Sequence, residues 1–241
     1  MGSDLSKYSR TLVSQNPPIV AVDPRFALPQ PLTLVMNENF FSFSGDDFSI
    51  IDAQTGGPFF RIDGQAFSLS QTKILVDAYG NPVANFKHRI FDVFQRHFDV
   101  YQGVDESQPL FTIQVESGMA SKLTAQVRNL VTGQIHNIVL IGDFSMDATI
   151  FNGHPKEGGV AIANLFRPHN IAQKSMFHVS IAPGVDAALI VFLVLALDEA
   201  RSDHHENHAA RMGVPPGMAP FMMGGSGMGH HHHHHHRHGR H

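Results

Sequence analysis

The sequence predicts a mainly β protein: eleven or so short antiparallel strands, in a barrel or a sandwich, caging a hydrophobic C-terminal helix. Three observations predict it. Eleven consecutive apolar residues, Ala187 to Leu197 (AALIVFLVLAL), stand near the C-terminal end. Between Leu32 and Ile181 the chain is broken into runs of about five to nine residues by turn formers. No long helical pattern interrupts these runs before residue 184.

The strands come first in the chain. Phe40 to Phe43, Phe48 to Asp52 and Phe59 to Ile62 are separated by Ser44-Gly45-Asp46-Asp47 and by Thr55-Gly56-Gly57-Pro58. Both separators are rich in the residues that tolerate tight turns. Ile74 to Asp77, the turn Tyr79-Gly80-Asn81-Pro82 and Val83 to Phe86 read as a hairpin. The same punctuation gives strands at Asp92 to Tyr101, Leu110 to Gln114, Leu123 to Asn129, Gln134 to Ile141, Asp147 to Phe151, Gly159 to Asn164 and Met176 to Ile181.

The apolar run is too short to span a bilayer, which takes about 18 to 20 apolar residues, and Asp186 bounds it before, Asp198 and Glu199 after. Its side chains are apolar on every side, so other protein must enclose it all round. Pro183 and Gly184 end the preceding strand, and Asp186 suits the positive end of a helix.

Composition fits one domain with terminal appendages: residues 1–27 as a flexible arm, 28–203 as the barrel and 204–241 as a disordered tail. In the arm, Pro17, Pro18, Pro24, Pro29 and Pro31 favour extended chain over helix. The stretch 212–229 is rich in Met, Gly and Pro and poor in structure formers. The chain has 241 residues, 42% of them hydrophobic, with no Cys and a net charge of −4. These values exclude disulfide and thiol chemistry and argue against a nucleic-acid partner. With no signal peptide visible at the start, a cytoplasmic location follows, extended to a membrane periphery or the nucleus, for a monomeric chain.

The strand-turn text LSQTKILVDAYGNPVANFKHR (Leu69 to Arg89), FDVYQG (Phe98 to Gly103), ATIFNG (Ala148 to Gly153) and above all FHVSIAPGVDAALIVFLVLALDEARSD (Phe177 to Asp203) resemble the LURP-one-related family. That family shares its fold with the C-terminal domain of tubby proteins and with phospholipid scramblases. The resemblance covers roughly residues 28 to 203 and implies a closed antiparallel β-barrel of about twelve strands around the central hydrophobic C-terminal helix, with a membrane-tethering or phospholipid-binding role. Family members often carry Trp or Arg near the FDVYQG position, whereas this chain has no Trp and has Gln102 there.

Catalytic signatures are missing. There is no phosphate loop, no dinucleotide fingerprint and no nucleophile elbow. In His204-His205-Glu206-Asn207-His208 the glutamate is one place too late for a zinc-protease helix. Asp46, Asp47, Asp143 and Asp147 read as turn formers and solvated charges. A non-enzyme without cofactors is the expectation, and no metal site is expected within the barrel.

The binding candidates are three. Lys87, Arg89 and Arg96, on adjacent strands, are candidates to hold an anionic headgroup, since guanidinium groups grip phosphate through two parallel hydrogen bonds. The alternative reading of these cations is a polar outer face balanced by Asp92 and Asp99. Gly2, in Met1-Gly2-Ser3-Asp4-Leu5-Ser6, fits the pattern for attachment of myristate, and one acyl chain binds membranes only marginally. The tract His230, His231, His232, His233, His234, His235 and His236 would take up Ni, Cu or Zn ions nonspecifically, whether it is native or an expression tag. The reading that results is a membrane-tethered or phosphoinositide-binding regulatory barrel. Its alternatives are a scramblase-like lipid-moving protein and a purely structural interaction module.

Overall fold

A computed structural model describes residues 10–37, 48–64, 72–89, 96–116, 121–143, 147–167 and 176–211. Among them, strands β1 (Leu32–Asn37), β2 (Phe48–Asp52), β3 (Pro58–Gly64), β4 (Lys73–Asp77), β5 (Pro82–Arg89) and β6 (Arg96–Gln102) make one half of a closed barrel. The other half is β7 (Pro109–Glu116), β8 (Ser121–Arg128), β9 (Ile135–Asp143), β10 (Asp147–Asn152), β11 (Val160–Phe166) and β12 (Met176–Ile181). Neighbours in sequence are antiparallel neighbours in space, and β12 returns to β1 with Leu34 opposite Val179. Closure leaves no strand without two neighbours among the described residues.

Where the expected strands fall within the described residues they are present, with ends that differ by a few residues; Asp92 to Gln95 of the run Asp92 to Tyr101 lie outside them. β1 is an addition: its run LTLVMN has no internal turn former, but Leu32, Leu34 and Met36 alternate inward as a strand facing a core requires. The expected run Phe40 to Phe43 lies outside the described residues.

Helix α1 (Ala187–Arg211) follows β12. All of Ala187 to Leu197 are at most 1% exposed, so the apolar run is enclosed on every side, as its composition demands. Phe192 stacks on Phe86 with ring centres 6.0 Å apart, and Phe86 stacks on Phe98 at 4.8 Å. The inward residues of the strands, such as Ile113, Leu123, Leu140 and Ile150, form one core with this helix.

The chain divides into two compact units after Ala200. The first holds the barrel and α1 as far as Ala200; of the second, residues 201–241, only the last turns of α1 to Arg211 are described. Helix therefore continues past Asp203, the expected limit of the folded part. The His230 to His236 tract and Gly2 lie outside the described residues.

Residues 10–27 correct the expectation of a flexible arm. They form a strap on the barrel, with Ile19, Val20, Ala21 and Val22 at most 2% exposed. The prolines do prevent helix, as expected. The backbone is nevertheless satisfied, because barrel side chains supply the partners that a ladder would otherwise supply: Asn164 brackets Arg10 through N–H and C=O at 3.1 and 2.7 Å, and the Asn129 amide donates to Pro18 O at 2.7 Å. Near its end the short 3-10 turn Pro24–Phe26 is capped by Asp23.

Candidate functional site

The outer face of β5 to β7 carries the cations singled out in the sequence. Along β5, Ala84 and Phe86 face the core, so Asn85, Lys87 and Arg89 face outward. Asn85 is buried although it points outward. Its amide donates to the carbonyls of Gly103 and Asp105 at 3.1 and 2.9 Å, which folds the β6–β7 turn over the outer face. That turn delivers Glu106, whose carboxylate accepts from Lys87 Nζ at 2.6 Å and from Thr72 Oγ1 at 3.1 Å. The hydrogen bond raises the Lys87 ammonium and lowers the Glu106 carboxyl relative to their ordinary values.

Arg89 is held by the next strand. Its Nε and Nη2 donate to both oxygens of Asp99 at 2.7 to 3.0 Å, a two-pronged pair in which Asp99 is buried and Arg89 half exposed. Asp99 also accepts from Thr112 Oγ1 at 2.6 Å and from Tyr101 Oη at 3.4 Å. Burial and this carboxylate push the Tyr101 phenol up.

Arg96 is not part of this face. Arg89 lies opposite His97, which puts Arg96 one residue out of phase, on the inward side with Phe98 and Val100. One residue of register reverses the face of a side chain. Its Nη1 lies 3.5 Å from the carbonyl of Ala200 in α1. At the same end of the barrel Lys73, the first residue of β4, pairs with Glu199 of α1, and burial lowers the Lys73 ammonium. The structure thus brings Lys87 and Arg89 together and separates Arg96 from them.

A second polar centre, missed in the sequence as a binding group, lies where α1 begins. Asp186 is fully buried, and its Oδ1 accepts from the N–H of Ala188, which caps the helix. Its Oδ2 accepts from the N–H groups of Ala21, Val22 and Asp23 at 3.1, 2.7 and 3.0 Å. Burial pushes the carboxyl up to about 6 against the pull of these four donors. Helix capping was legible locally; the strap contacts join residues more than 160 positions apart. Among the described residues no group of three or more His, Cys, Asp or Glu is placed to hold a metal.

A family model described as LURP-one-related matches residues 32–198. The chain belongs to the LURP-one-related family. Its relatives in Arabidopsis thaliana include LURP-one-related 10, 26% identical over 77% of this chain and 98% of the relative. LURP-one-related 15 is 24% identical over 76% of this chain and 87% of its own length, and LURP-one-related 13 is 27% identical over 77% and 92%. An X-ray structure of a protein from the same plant aligns with a TM-score of 0.55 and 23% identity, covering 75% of this chain and 98% of that one. This likeness shows the fold, and the link of LURP-one-related proteins to tubby-like barrels is consistent with it. None of these relatives is named as an enzyme.

Proposed function

We propose that this LURP-one-related barrel is a non-catalytic module that attaches to anionic phospholipid membranes, with Lys87 and Arg89 meeting headgroups and Gly2 as the site of an acyl tether. The observation that carries the reading is the pairing of two cations two residues apart on an outward strand face. Each is only partly committed: Lys87 spends one ammonium donor on Glu106, and Arg89 uses Nε and Nη2 on Asp99. The remaining donors are available to a phosphate, and Arg89 is 46% exposed. The lipid-moving alternative would need α1 in the bilayer. Its apolar run is enclosed in the barrel, and among the described residues no helix is long and apolar enough to cross a membrane.

Sedimentation with vesicles tests the proposal. Binding to vesicles containing phosphatidylserine or a phosphoinositide should exceed binding to phosphatidylcholine vesicles and fall with salt. Lys87→Ala with Arg89→Ala should weaken it about three- to tenfold, from roughly 1 kcal/mol per basic residue discounted for the existing pairs. Arg96→Ala should leave it unchanged. Equal binding of the double variant and the parent, or no preference for anionic lipid, refutes the reading.

A further inference from the structure

The strap occupies a set of complementary groups that the barrel holds out at the end where α1 begins. Gly184 O accepts from Ile19 N–H at 2.8 Å, Asp186 N–H donates to Ile19 O at 3.0 Å and Leu130 N–H donates to Val20 O at 2.8 Å. The Asn129 amide takes Pro18 O, and the Asp186 carboxylate takes three consecutive N–H groups from Ala21 to Asp23. Pro183 O accepts from Gln15 N–H at 2.9 Å. This alternation of donors and acceptors recognises an extended main chain rather than particular side chains, with burial of Ile19 and its neighbours adding apolar contact.

Two features set the strap apart from the barrel's own strand ladder. The strand ladder is complete through the β1–β12 pairing. Strand-type pairing of residues 10–27 with it is limited to single bridges, Ile19 with Val185 and Ala27 with Asp186; the strap is held besides by the hydrogen bonds above, by Val13 N–H to Ala161 O at 2.9 Å and by Ile19, Ala21, Val22 and Phe26 in the core. The segment between strap and β1 contains Pro29 and Pro31, which supply no N–H, and it is held through Leu28 O, which accepts from Gly184 N–H at 2.7 Å. The fit is close at one point: a Cβ on Gly184 would come within 2.2 Å of Gln15 O, so only glycine lets the strap lie down there.

We infer that residues 10–23 are a detachable closure latched on Asp186, the internal occupant of a site for extended apolar peptide segments. Displacing the strap uncovers Asp186, Asn129, Gly184 O and the N–H of Leu130 together. A segment from another protein with a proline followed by small and branched apolar residues, as in Pro18-Ile19-Val20-Ala21-Val22, would satisfy the same groups. The strap then sets the threshold for that partner, because it must open before the partner binds.

Hydrogen exchange on the full-length protein tests both parts. Amides of Ala21, Val22, Asp23 and Leu130 should exchange through a local opening, at least about tenfold faster than ladder amides such as Val100 and Leu140 after correction for intrinsic rates. Two variants should speed the strap amides by about tenfold or more beyond any change in the ladder amides: Gly184→Ala, which crowds Gln15, and Ile19→Ala, which removes apolar contact that the strap makes with the core. A fluorescent synthetic peptide of residues 15–25 should bind the full-length Ile19→Ala variant at least about tenfold more tightly than it binds the parent, since less closure competes, whereas Gly184→Ala should show no such gain, because the peptide's own Gln15 meets the same Cβ. Strap and ladder amides exchanging in step would show that the strap is an integral part of the fold and overturn the inference. Local opening in Ile19→Ala without tighter peptide binding would overturn the peptide site.

Discussion

Four consecutive residues of α1, Leu189, Ile190, Val191 and Phe192, point in four directions about 100° apart and so sample the whole circumference of the helix. Each is 0% exposed, which predicts that none can be truncated without cost. Phe192→Ala removes the ring that stacks on Phe86 and leaves a cavity that the closed barrel cannot collapse into, at about 3 to 5 kcal/mol. For a domain of this size that lowers the melting midpoint by about 6 to 20 °C, taking about 2 to 4 °C per kcal/mol. The other three should each cost more than about 1 kcal/mol, whereas Gln126→Ala on the exposed face of β8 should stay within about 0.5 kcal/mol. Denaturant unfolding followed by circular dichroism measures all five. Phe192→Asp buries a charge with no partner and should not fold. The enclosed helix is refuted if any one of the four truncations is neutral, because that side would then face solvent, or if Phe192→Asp melts cooperatively near the parent's midpoint.

Asp186 predicts an unusual pH dependence. Its folded value of about 6 lies above the model-peptide 3.8, so the group stabilises the fold below pH 3.8 and this contribution is lost as pH rises toward 6. The parent should lose about 3 kcal/mol relative to Asp186→Asn across that window, read from denaturant titrations at several pH values; a gain with rising pH would mean that the four N–H donors outweigh burial. Gly142→Ala should cost about 1 to 3 kcal/mol, because its Cβ would fall 2.3 Å from that of Ala148 in β10, and an unchanged melting curve would contradict that register. A chain ending at Arg211 should keep its melting midpoint within about 2 °C and lose most of its nickel uptake, since it lacks His230 to His236. Tight nickel binding after truncation would place the metal ligands elsewhere.

Strands β2 to β12, turn positions and the enclosed helix were legible in the amino-acid order because each is decided within a few residues: Tyr79-Gly80-Asn81-Pro82 turns the chain, and an all-apolar run has to be covered. β1 was missed, although Leu32, Leu34 and Met36 alternate inward and Pro31 precedes it. Lys87 and Arg89 could be placed on one face from their spacing alone. Arg96 could not, because its face depends on pairing Arg89 with His97, and a single residue of register reverses it. Glu106, Asp99 and Asn85 gain their roles only when the β6–β7 turn folds over the outer face. The strap was the hardest to read. Its prolines announce extended chain, and extended chain with no ladder looks free until Asn164, Asn129 and Asp186, all more than 110 positions away, arrive to satisfy its backbone. Local chemistry decided which segments became strand, turn and helix; three-dimensional closure decided which polar groups met, because those partners are neighbours only after the barrel has closed.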